Sequence, residues 1–193
     1  MSDVSSWKRL AAEYAGAAER APGLKARFDA AGFDPAALAS LEDLTRLPVL
    51  KKETLVALQR ENPPFGGFLA ADPRSLARIY VSPGPIFEPS LADGGAHNLD
   101  MLFRAAGTGP GDIVLNTWSY HLVPAGLLFD AAARAVGATV VPGGVGNSEL
   151  QAQVIAELGA TAIVASTAFF VTLADAVIAR YGREAWRVRT AFL

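Results

Sequence analysis

The densest run of chemistry-bearing side chains is Asn116-Thr117-Trp118-Ser119-Tyr120-His121. An indole, a phenol, an imidazole and two hydroxyls in one short run can line a pocket for a small organic molecule. His121 adds an imidazole, suited to serve as a base or a hydrogen-bond donor near neutral pH. A loop histidine among packed aromatics is the competing reading, and both stay open here. A second cluster is Val81-Ser82-Pro83-Gly84-Pro85-Ile86-Phe87-Glu88-Pro89. Small residues between a strand and a helix can present backbone N–H groups to a phosphate. Pro83, Pro85 and Pro89 reduce that capacity because proline has no N–H. A rigid connecting loop is the alternative, and no Gly-Lys-Ser/Thr follows to make a Walker A loop.

Other motifs exclude more than they suggest. Gly143-Gly144-Val145-Gly146-Asn147 lacks the third glycine of a dinucleotide fingerprint and reads as a turn, with Asn147 or Ser148 capping the next helix. Gly107-Thr108-Gly109-Pro110-Gly111 precedes a strand, the wrong side for a phosphate loop. Ser82, Ser119 and Ser166 have no Gly-x-Ser-x-Gly frame, which argues against a serine hydrolase. Cysteine is absent, which removes thiol catalysis, disulfides and Cys-based metal sites. His97 and His121 are the only histidines, so no multi-histidine metal site is expected. The four lysines, Lys8, Lys25, Lys51 and Lys52, all precede residue 53.

The elements that must position these groups follow from composition and periodicity. The chain has 193 residues, 51% hydrophobic and 19% charged, enough for a substantial core. A net charge of −2 gives no basic field for nucleic acid. An uncharged stretch, 158–174, is 17 residues and carries Gly159, Ser166 and three threonines. A membrane span needs about 20 predominantly apolar residues, so this stretch reads as a buried strand and helix, and the chain as cytoplasmic. Residues 1–14 show no basic run followed by an apolar one and are not expected to be a secretory signal.

Residues 1–76 read as a helical segment, with helices over 5–20, 24–31 and 51–60 and an Asp34-Pro35 helix start. Residues 77–193 read as a parallel α/β subdomain, expected to form one compact unit with the first. Strands are expected at 78–82, 112–116, 138–141, 161–165 and 189–193. Helices are expected at 93–106, 124–136, 148–158 and 167–179, with Gly107, Gly137 and Gly159 as stops. Apolar runs such as Ile113-Val114-Leu115 suit strands covered on both faces, and repeated βα units imply a mostly parallel sheet. Ligands of such sheets bind beyond the strands' carboxyl ends. An ending on a strand is expected of a fragment or truncated product, and an exposed strand edge favours a homo-oligomer, or burial of Phe192 in its own sheet.

Several segments together resemble one family. They are Ala30-Ala31-Gly32-Phe33-Asp34-Pro35, Leu47-Pro48-Val49 with Lys52-Glu53-x-Leu55, Gly109-Pro110-Gly111-Asp112 and Gly137-Ala138-Thr139-Val140-Val141-Pro142. In order and spacing they resemble the N-terminal part of phenylacetate–coenzyme A ligases, members of the adenylate-forming AMP-dependent synthetases, over about residues 14–193. The resemblance implies part of that family's N-terminal domain, with ATP, Mg²⁺, coenzyme A, a small carboxylic acid and an acyl-adenylate intermediate. It places Ser82, Gly84 and Pro89 on the phosphate loop, Lys52 near phosphate, and Trp118, Tyr120 and His121 at the acyl pocket. The family loop reads Ser-Ser-Gly-Thr-Thr-Gly-x-Pro. Here both threonines are missing, and Glu88 precedes the proline, where a carboxylate repels phosphates. The expectation is the N-terminal portion of an acyl-CoA ligase-like enzyme, inactive as this chain alone. The alternative is a non-catalytic small-acid-binding or protein-interaction module.

Overall fold

The structure, a computed structural model, describes residues 4–92 and 98–193. It divides into two compact units, Met1–Ala92 and Asp93–Leu193. Among the described residues, no helix is long and apolar enough to cross a membrane.

The first unit begins with α1 (Val4–Arg20) and α2 (Pro22–Ala30). Pro22 occupies the first turn of α2, where a missing N–H costs nothing, so it opens the second helix as well as ending the first. Phe28 is the centre of the packing, 6.1 Å from the Tyr14 ring and 5.2 Å from Phe33. Ala11, Ala18 and Leu38 complete that cluster. Asp34 accepts from the Ala36 N–H and starts a single 3₁₀ turn, Pro35–Ala37. The short α3 (Leu41–Leu44) is held by a capping box, Ser40 with Asp43. The backbone N–H of Ala39, then Ser40, hold the Asp43 carboxyl below its usual pKa. α4 (Lys52–Glu61) follows.

The unit closes with a two-stranded antiparallel ribbon, β1 (Leu76–Ser82) and β2 (Ile86–Leu91). This corrects the sequence reading. The strand at 78–82 is not part of the parallel sheet, and no helix follows the Pro83–Pro85 turn. Instead Ser82 pairs with Ile86 across the turn and Val81 with Phe87. Pro89 is tolerated because β2 is an edge strand. The buried Gln59 of α4 takes the place of a third strand at Phe87: its Nε2 donates to the Phe87 carbonyl and its Oε1 accepts the Phe87 N–H, both at 2.9 Å.

The second unit contains α5 (Asp100–Ala105), β3 (Ile113–Asn116), α6 (Ala125–Ala135), β4 (Thr139–Pro142), α7 (Ser148–Leu158), β5 (Ala162–Val164), α8 (Thr167–Tyr181) and β6 (Thr190–Phe192). The expected helix at 93–106 is described only from Asp100; its first turn, and His97, lie outside the described residues. The four strands form a parallel sheet in the order β4-β3-β5-β6. Alternation along the strands divides the core. Val114, Ala162 and Val164 face α5 and α6, where Phe103, Ala132 and Ala133 meet them. Leu115 and Ile163 face the other way, onto Ala152 and Ile155 of α7 and Leu173 and Val177 of α8. The sheet is thus covered on both faces, as its apolar runs require.

The terminal strand is docked in its own sheet. Phe192 packs on Phe103 with ring centroids 4.2 Å apart. At the opposite end of the strands the buried Asp112 ties three of them together. It accepts from the Thr161 hydroxyl of the β5 approach, the Gly109 N–H and the Arg189 guanidinium that leads into β6.

Candidate functional site

The chain leaves β3 toward β4 on one side of the sheet, and β5 toward β6 on the other. β3 and β5 are adjacent, so the strand order reverses between them, and a crevice is expected beyond their carboxyl ends. A cavity of about 420 Å³ lies there, lined by Thr117, Trp118, Ser119 and Val123 after β3, Val145 and Gly146 after β4, and Ser166 and Phe169 at the start of α8. Each wall is fixed locally. Thr117 joins the two central strands, since its backbone N–H and its hydroxyl both donate to the Val164 carbonyl at 2.9 Å. Ser166 caps α8 by accepting from the Phe169 N–H, which sets Phe169 at the rim.

Asn116, buried at the end of β3, organises the aromatic loop. Its Oδ1 accepts from the Trp118 N–H at 3.1 Å, and its Nδ2 donates to the Gly126 carbonyl at 2.8 Å and the Tyr120 phenol at 2.9 Å. Gly126 has no room for a side chain, because a Cβ there would collide with the backbone of Ser119. The Tyr120 hydroxyl in turn donates to Asp130 of α6 at 3.2 Å. Burial, and then the Asp130 carboxylate, push the Tyr120 phenol well above its ordinary pKa. It is a neutral donor and a strut, not a base.

Of the three residues assigned to the acyl pocket, Trp118 lines the cavity, while Tyr120 and His121 do not. Tyr120 turns back to Asn116 and Asp130, and His121 is exposed, its backbone closing a small loop with Ser119. Sequence reasoning missed Val123, Val145, Gly146 and Phe169. The signal that finds them is their place in the segments that follow the strands' carboxyl ends, which is where a parallel sheet gathers a site. Among the described residues, no charged side chain lines this cavity. Its walls suit the apolar part of a ligand, with any charged group directed outward.

The first unit has its own cavity, about 510 Å³, lined by Phe65, Phe68, Ile86 and Phe87 among other apolar groups, with Lys52, Glu88 and Pro89. The residues assigned to a phosphate loop are arranged differently from a cradle. Ser82 is buried, and its hydroxyl donates to the Glu88 carboxylate. Gly84 lies in the hairpin turn with φ of 156° and is packed against Ile86 and Val56. Among the described residues, no group of three or more His, Cys, Asp or Glu is placed to hold a metal ion.

No protein-family model matches the chain. A phenylacetate–coenzyme A ligase of Thermus thermophilus is 33% identical over 164 residues, 81% of this chain and 36% of that protein. One from Escherichia coli K12 is 30% identical over 174 residues, 86% of this chain and 39% of that protein. The chain therefore spans just over a third of the length of these relatives. A structure of 2-hydroxyisobutyryl-CoA ligase, in an open conformation with 2-HIB-AMP and CoA, matches 87% of this chain and 38% of its own at a TM-score of 0.79 and 26% identity. The same ligase in its postadenylation state matches 95% and 40% at a TM-score of 0.86 and 24% identity.

Proposed function

Since this chain is related in sequence and fold to the N-terminal part of the phenylacetate–coenzyme A ligases, we propose that it is the acid-binding portion of an acyl-CoA ligase-like adenylating enzyme. The substrate class is a small carboxylic acid with an apolar body. The observation that carries this reading is the apolar cavity between the ends of β3 and β5, walled by Trp118, Val123 and Phe169. The acid's body would lie there, with its carboxylate at the mouth, open to an activating nucleotide. In the intact reaction that carboxylate attacks the α-phosphate of ATP, pyrophosphate leaves, and the thiol of coenzyme A then displaces AMP from the acyl-adenylate.

The described residues of this chain do not fit ATP and Mg²⁺. A hairpin with Pro83 and Pro85 offers few N–H groups, and the Glu88 carboxylate beside it repels phosphate. We therefore propose that this chain does not adenylate by itself. Lys52, exposed and among the lining of the first unit's cavity, is the one residue proposed to approach phosphate. The hairpin also favours a second reading, a non-catalytic module that binds a small acid. Pairing of two copies through the one-sided edge strands β4 and β6 is part of the proposal. Light scattering at low micromolar concentration checks it, and a monomer there would reject it.

Calorimetry with phenylacetate tests the central reading. Trp118→Ala should weaken binding by roughly tenfold through lost ring contact, equivalent to about 1.4 kcal/mol. His121→Ala should leave it unchanged, since the imidazole does not reach the cavity. Equal loss in both variants, or in neither, would contradict the assignment.

A further inference from the structure

The loop after β4 forms one wall of the second-unit cavity through Val145 and Gly146. It is an irregular segment. Gly144, Gly146 and Asn147 have φ of 66°, 82° and 53°, and Asn147, which precedes α7, makes no side-chain cap. Such a path has no regular hydrogen-bond ladder to define it. One side chain does so. Gln151, in the first turn of α7 and 3% exposed, donates from Nε2 to the Gly144 carbonyl at 2.9 Å and to the Gly146 carbonyl at 2.7 Å. Among the described residues, no other side chain hydrogen-bonds this loop. The other ties are backbone: the Gly143 N–H to the Val141 carbonyl at 2.9 Å, the Gln151 N–H to the Asn147 carbonyl at 3.0 Å, and the Gly144 N–H to the Asn116 carbonyl at 3.0 Å, which joins the loop to the end of β3 beside Trp118.

Gln151 is also costly. Its Oε1 is buried without a partner, the only such side-chain atom among the described residues. Burying an unsatisfied acceptor opposes folding, and an apolar residue of the same shape avoids that cost. The amide is therefore poorly explained as filler. Its two donated bonds define what it contributes, and both act on the loop that carries Val145, itself 76% exposed, to the cavity. We propose that Gln151 is a positioning residue that clamps the 143–147 loop as a fixed wall, and so sets which acids the cavity admits. The specificity claim rests on the acid-binding reading of this cavity; the clamp does not.

Two acids of different girth, phenylacetate and naphthylacetate, separate these points when titrated into the full chain. Gln151→Met keeps the length and loses the donors. The expected result is roughly tenfold weaker phenylacetate binding and a phenylacetate-to-naphthylacetate affinity ratio that falls toward one, as expected for loss of a buried hydrogen-bonded clamp. Hydrogen exchange at the Gly144 amide should rise by a similar factor, while the amides of Leu115 and Ile163 stay protected. Unchanged exchange and an unchanged ratio in a folded Gln151→Met chain would show a space-filling residue and overturn the proposal. Val145→Ala guards against a variant that fails to fold, because Val145 is exposed. It should shift the ratio toward naphthylacetate with the melting temperature unchanged, and an unchanged ratio would show that the loop is no wall. If neither acid binds the parent chain, the acid-binding reading and the specificity claim fall together, and exchange at Gly144 still decides the clamp.

Discussion

Side chains in this protein divide sharply between those that face a cavity and those that hold the facing ones. Trp118 belongs to the first group. Asn116, Tyr120 and Gln151 belong to the second, each buried or half-buried and hydrogen-bonded to loop backbone or to one another. Residue type alone does not separate the two roles, since a tyrosine beside a tryptophan in a loop looks equally suited to a pocket. The partner that decides it, Asp130, lies ten residues on, in α6. Asp112 offers a test at this scale. Burial raises its pKa, but the Thr161 hydroxyl, the Gly109 N–H and the Arg189 guanidinium outweigh that, and the net shift is downward. A depressed carboxylate pKa stabilises the fold fully above the unfolded value of about 3.9 and loses that effect as pH falls through the folded value. Asp112→Asn should thus cost about 1.5–3 kcal/mol at pH 7, the worth of hydrogen bonds to a charged group. Urea unfolding should show the gap between parent and variant closing below about pH 4. A gap independent of pH would mean that the carboxylate charge contributes nothing.

Elements of the second unit were legible in the sequence because each signal was local. Apolar triplets and glycine stops give β3, β5, α7 and α8 nearly to the residue. Of the β1–β2 ribbon, β1 was legible as a strand, but β2 and its antiparallel pairing were not. Pro89 and Glu88 disguise β2 as loop, and its pairing is completed by Gln59, 28 positions away from Phe87. A strand whose edge is finished by a side chain leaves no periodic trace. The consequence for chemistry is testable on the ribbon itself. A turn built from Pro83, Gly84 and Pro85, with Ser82 spent on Glu88, should bind ATP–Mg²⁺ more weakly than about millimolar, which is weaker than about −4 kcal/mol. Micromolar binding in a calorimeter would show that the hairpin rearranges into a phosphate cradle.

At the scale of the whole molecule, each unit has its own core and its own cavity. Only the second unit's cavity sits where a parallel sheet reverses its strand order. The family resemblance was readable from ordered short segments, and it agrees with relatives that share about 30% identity over most of this chain. What the resemblance could not supply was which groups face inward, because that depends on loop paths set by Asn116 and Gln151. The account's central claim is that a small apolar acid binds between β3 and β5. The most direct measurement is the set of nuclear Overhauser contacts from the phenylacetate ring protons in the complex. The account predicts contacts to Trp118, Val123 and Phe169. Contacts to Phe65 and Phe68 instead would place the acid in the first unit's cavity and contradict it.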